Sequence, residues 1–149
     1  MKIEYVDLPA SLQPIVAARI GAYKHCFPSW CTHLTVYWQN ANTDDTILSC
    51  NPRYEYRSMS ITIYPLFFEV EDWRNGIIHE IQHGLLRPLI AKIERIVDRF
   101  VKDEQIAEYI HDELSEAEEA VCEDLTIFTQ QLCQCTNLSA KNAGTKQKN

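Results

Sequence analysis

A chain of 149 residues with 46% hydrophobic content can bury one core and is too short for two full catalytic domains. A formal net charge of −7 and a pI near 5.2 argue against a general nucleic-acid surface, which needs clustered Lys and Arg. The opening Met1-Lys2-Ile3-Glu4-Tyr5-Val6-Asp7 is interrupted by acids and does not read as a leader, and no apolar run approaches the roughly 18 residues of a membrane span. A soluble, cytoplasmic protein with neither nucleic-acid nor membrane partners is expected. The six cysteines, Cys26, Cys31, Cys50, Cys122, Cys133 and Cys135, form no C-x-x-C pair and read as mostly free thiols.

In chain order, a short lead-in precedes a helix from about Pro9 to Tyr23, with Pro14 near its first turns. Phe27-Pro28-Ser29-Trp30 makes a turn. His33 to Trp38, rich in Thr, Val, Tyr and Trp, reads as a strand, and Asn40 to Asp45 as the turn after it. Thr46 to Ser49 and Ser58 to Tyr64 are two more strands. The second alternates Met59, Ile61 and Ile63 with Ser58, Ser60 and Thr62, the pattern of a half-buried strand. After Pro65 comes a helix from about Val70 or Glu71 to Leu86. Pro88, which has no amide hydrogen, is expected to end or kink it. Further helices are expected over Leu89 to Lys102, Asp103 to Glu113 and Ser115 to about Cys133. Lys92, Arg95, Arg99 and Lys102 form the wet face of the first of these. From Thr136 the chain is polar and aperiodic, so a single domain over 1–135 and a disordered tail over 136–149 are expected. Strands first and helices after give an α+β reading, a small three- or four-stranded sheet packed on the helix that follows it.

The helix after Pro65 carries His79-Glu80-Ile81-Gln82-His83, an H-E-x-x-H sequence. At helical spacing the imidazoles of His79 and His83 stand one turn apart and can share a zinc ion, with Glu80 beside them to take a proton from water. On the wheel Ile77, Ile78, Ile81 and Leu85 fall on one arc, and His79, Glu80, His83 and Arg87 fall opposite. A catalytic zinc needs a third protein ligand and leaves the fourth position for water. Ser115 to Leu125 is the best source. There Ala117, Val121, Leu125, Phe128 and Leu132, extended by Leu114, make an apolar stripe, and Glu119 and Glu123 share the other side. Glu119 is the expected ligand, with Glu118 its rival, and Glu123 is expected to accept a hydrogen bond from a ligand imidazole.

In these residues the chain resembles the gluzincin branch of zinc metallopeptidases, in which H-E-x-x-H gives two ligands and the base, and a glutamate on a later helix completes the site. The Glu-x-x-x-Glu of Glu119 to Glu123 matches that later helix, while the histidine of the extended metzincin motif is absent after His83. The resemblance implies a zincin-like fold, a Zn2+ cofactor and hydrolysis of a protein or peptide substrate. It also places a substrate-pairing sheet edge on the strand before the metal helix, which would put Ser60 and Thr62 against an extended peptide. A second donor to the developing oxyanion is common in such enzymes, and Tyr109 and His111 are available between the ligands. Two other classes use the same residues: a zincin-like module that grips peptide without turnover, and a zinc hydrolase of a non-peptide amide.

Overall fold

The computed structural model describes residues 1–41 and 46–144, with side chains through Leu132. Four strands, β1 (Lys2–Val6), β2 (His33–Trp38), β3 (Leu48–Arg53) and β4 (Ser58–Ile63), form one sheet in the order β1-β2-β4-β3. β1 and β4 run parallel to β2, and β3 runs antiparallel to β4, with Cys50 opposite Ile61 and Leu48 opposite Ile63. Three α-helices complete the chain: α1 (Gln13–Ala22), α2 (Trp73–Phe100) and α3 (Glu104–Gly144).

The α+β expectation holds at this level, and the strand alternation explains why. Leu34 and Val36 of β2 and Met59, Ile61 and Ile63 of β4 point to one face, where Val16 and Ile20 of α1 and Ile77 and Ile81 of α2 complete the core. The opposite face, with Thr35, Tyr37, Ser60 and Thr62, carries neither helix. α3 packs on the far side of α2, so the layers run sheet, α2, α3.

Several boundaries differ from the sequence reading, each for a physical reason. The lead-in segment is itself β1, because Lys2 to Val6 finds a parallel partner in β2. The first helix starts at Gln13 rather than Pro9, whose carbonyl instead accepts from Leu12 and Gln13 in a turn. The third strand begins at Leu48 and runs to Arg53; residues 42–45 of the expected turn lie outside the described residues. The stretches expected as two helices on either side of Ser115 are one, since no Gly or Pro occurs between Glu104 and Ala143 to break it. The backbone of α3 is helical through Gly144; residues 145–149 lie outside the described residues.

The largest correction is at Pro88. The helix does not end there: α2 continues through Pro88 to Phe100. Proline leaves the carbonyl four residues back without a donor, and here that carbonyl is Gly84 O. The indole N–H of Trp30 donates to it at 3.1 Å, taking the place of the missing helical bond. Gly84 also lets the sheet approach, since a Cβ there would meet the Met59 side chain at 2.7 Å and the Pro28 ring at 3.1 Å. At the other end of the hairpin, Asp103 Oδ1 accepts from the backbone N–H groups of Gln105 and Ile106 and caps α3.

Trp30→Phe keeps an aromatic ring but removes the donor to Gly84. We expect a loss of about 1–3 kcal/mol in chemical denaturation, with the far-UV spectrum of the folded state preserved. An unchanged denaturation midpoint would show that the Gly84 carbonyl has another partner.

Candidate functional site

α2 meets the sheet with Ile77 and Ile81 and meets α3 with the opposite side, which is where His79 and His83 stand. α3 returns antiparallel and brings two adjacent carboxylates level with them. Glu119 spans both imidazoles, its Oε2 lying 3.2 Å from His79 Nε2 and its Oε1 3.4 Å from His83 Nε2. The two Nε2 atoms are 3.2 Å apart. On the other side of the His83 ring, Nδ1 lies 3.0 Å from Glu118 Oε1. Glu118 and His83 are both largely buried, with side chains 15% and 14% exposed, whereas Glu119 is open to solvent.

An ionised carboxylate can only accept, so the bond to Glu118 puts the His83 proton on Nδ1 and leaves a lone pair on Nε2. That lone pair, His79 Nε2 and the Glu119 carboxylate converge on one small volume. Ligands about 2.0–2.1 Å from a tetrahedral ion stand about 3.3–3.4 Å from one another, which is the separation seen among these three donors. The residues present therefore fit a zinc ion in both chemistry and spacing. Among the described residues, Cys122 on α3 groups instead with Glu118 and His83, so it does not close the three-donor set with a fourth ligand.

The expected residues separate into those brought together and those left apart. His79, Glu80, His83 and Glu119 line one cleft of about 490 Å³, with Glu118 and Arg87 beside them. The residue that supports a ligand imidazole at Nδ1 is Glu118 rather than Glu123. Glu123 lies in a neighbouring recess that it shares with His79. Tyr109 and His111 are not at the site. Tyr109 is exposed, and His111 Nε2 lies 3.0 Å from Asp98 Oδ1, about 22 Å along α2 from His83. Ser60 and Thr62 are also displaced, because β4 is an interior strand with β2 and β3 on either side. The sheet edge at the cleft is β3, which contributes Ser49, Cys50, Asn51 and Pro52.

Three participants escaped the sequence reading. Cys50 on β3 donates its thiol to the backbone carbonyl of Glu80 at 3.4 Å. Its signal was the two-residue alternation that places it on the face of buried Leu48, but the strand's extent was missed. Cys122 is fully buried on α3. Arg87 stands one turn beyond His83 and forks onto Glu94 with contacts of 2.9 and 2.8 Å. Its place on the polar arc of α2 was the available sign.

Burial sets the electrostatics. It raises the Glu80 carboxyl above its ordinary value, against the opposing pull of the Cys50 thiol and of His83 and His79. Burial, reinforced by the negative charges of Glu118 and Glu119, pushes the Cys122 thiol up to about 12. The Cys50 thiol is raised as well, by burial first and then by the charge on Glu80. Both cysteines are thus neutral walls rather than thiolate nucleophiles. Comparison with family models, with curated protein sequences and with solved structures finds no match to this chain.

The raised Glu80 carboxyl makes stability depend on pH in a defined direction. A folded-state value above the unfolded one means that ionising Glu80 costs stability as pH rises above about 4.5. Metal-free Glu80→Gln should therefore be more stable than the metal-free parent at pH 7, with the difference vanishing below about pH 4 in paired denaturation curves. A difference of the same size at both pH values would assign it to packing instead.

Proposed function

We propose that this protein is a zinc-dependent peptidase with a zincin-like fold of gluzincin type. The observation that carries the reading is the convergence of His79 Nε2, His83 Nε2 and the Glu119 carboxylate beside a half-buried Glu80. Those three side chains would hold Zn2+. When bound there, the ion supplies Lewis-acid chemistry, acidifying water and polarising a carbonyl.

The protein's own groups do the rest. The Glu80 carboxylate takes the proton of the attacking water and returns it to the leaving amine, and the raised proton affinity of this half-buried group suits both transfers. Glu118 holds the His83 ring and its tautomer. The free edge of β3 at Ser49 to Pro52 offers backbone groups to an extended peptide, in the role first expected of β4. Arg87, which lines the cleft, takes the donor role first expected of Tyr109 and His111. Glu80 favours an enzyme over a purely structural metal site, which needs no base and closes with four ligands. Among the described residues no helix is long and apolar enough to cross a membrane.

Turnover of a quenched-peptide library by the zinc-loaded protein tests the reading. Glu80→Gln is expected to reduce cleavage by about 100-fold or more with zinc content unchanged. Cleavage at the parental rate would reject the assigned chemistry.

Glu119→Ala should weaken zinc affinity by more than about 10-fold in competition with a chromogenic chelator, and Glu118→Gln by a smaller factor. Chelation of the parent should lower its Tm, and added zinc should restore it. If Glu119→Ala binds zinc as tightly as the parent, the third ligand lies elsewhere.

A further inference from the structure

Past Gly84, α2 meets the short 3-10 turn Tyr54–Tyr56, where Arg95 Nη2 donates to Glu55 Oε1 at 3.2 Å. Between helix and turn lies a groove of about 620 Å³. Lys92, Arg95 and Arg99 supply its charge, and Tyr54, Ile96 and Phe100 its apolar walls. On the helical wheel these three cations fall roughly opposite His79 and His83, so the groove is separate from the metal cleft and shares no lining residue with it.

The charges of this stretch of α2 are sorted by side. Its acids are engaged elsewhere: Glu94 takes the fork of Arg87, and Asp98 Oδ1 lies 3.0 Å from His111 Nε2. Arg95 is held by Glu55 and by the Ala91 carbonyl, a fixed wall between two open cations. Among the described residues no carboxylate stands within ion-pair distance of Lys92 or Arg99. The Arg99 guanidinium lies over the Phe100 ring, 5.4 Å from its centroid, and the Tyr54 ring packs T-shaped on Trp30 with centroids 5.4 Å apart. Trp30 is itself anchored on the Gly84 carbonyl, so the groove has a braced aromatic wall.

We propose that this groove binds a short acidic peptide segment of a partner protein, with carboxylates on Lys92 and Arg99 and an apolar side chain against Tyr54 and Phe100. Size supports that occupant. Pro88 to Phe100 spans about 18 Å of helix, the length of about five extended residues. Lys92 and Arg99 stand about 10.5 Å apart along the axis, the reach of about three such residues. Charge separates a peptide from nucleic acid. The chain as a whole carries −7, so a long polyanion would run off three cations onto a surface that repels it, whereas a short segment ends within the groove.

Fluorescence anisotropy of a labelled six-residue peptide, aspartate and glutamate around one central leucine, tests this on the full chain. Saturable binding is expected at low salt below about 200 µM protein, weakened by added salt. The same peptide with asparagine and glutamine in place of its acids should not bind. Lys92→Glu with Arg99→Glu should weaken binding by about 10-fold or more. Both side chains are exposed, so the fold should survive, as circular dichroism will check. Lys24→Glu with Arg74→Glu changes net charge equally away from the groove and should leave binding unaltered, as should Glu80→Gln in the metal cleft. An acidic peptide that fails to bind, equal loss in the two charge-reversed variants, or tighter binding of a six-nucleotide single strand would overturn the proposal.

Discussion

The hydrogen bond from the Trp30 indole to the Gly84 carbonyl is small in energy and large in consequence. It satisfies the one acceptor that Pro88 orphans, and so lets α2 continue to Phe100 as a single rod. Seventeen residues separate His83 from Phe100, and fourteen separate Glu104 from Glu118. At about 1.5 Å per residue these arms are nearly equal, so a three-residue turn brings Glu118 and Glu119 back beside the imidazoles. The long interval between His83 and Glu119 is therefore the two arms of a hairpin. The geometry of the site is a matter of helix length, fixed about 25 Å away from it.

Around that geometry the charges are arranged by burial. Three acceptor groups point at one another across little more than 3 Å, an arrangement that repels itself unless a proton or a cation lies among them. Glu118, largely buried, is what stops His83 from relieving the repulsion by moving its proton to the crowded side. Cys50 and Cys122 add polarizable, uncharged bulk close by, and burial keeps them neutral beside several carboxylates. Glu80 is partly withdrawn from water in the same surroundings, which is why its carboxyl holds a proton more tightly than one in water.

The proposed metal chemistry occupies one flank of the helical hairpin. That polar flank carries the cleft and the β3 edge, while Val121 and Phe128 of α3 are exposed away from it.

Much of this was legible in the residues themselves. The H-E-x-x-H spacing places two imidazoles on one helix face whatever surrounds it, and strand alternation identifies Met59, Ile61 and Ile63 as a buried face, because both follow from local backbone periods. Glu119 and Glu118 could be singled out for a related reason, since adjacent acids opposite an apolar stripe are a property of one helix. What the chain could not state locally was which face meets which neighbour. Periodicity shows that Val121 and Phe128 share a side with Leu125, yet only the placement of α3 on α2 turns that side outward and buries Cys122. Sheet order, set by pairing among distant strands, made β3 the edge and enclosed Ser60 and Thr62 in an interior strand. Pro88 reads as a helix end in sequence because its missing donor is local, whereas the replacement donor, Trp30, is 54 residues away along the chain. Local periods fixed the faces; long-range packing chose their partners.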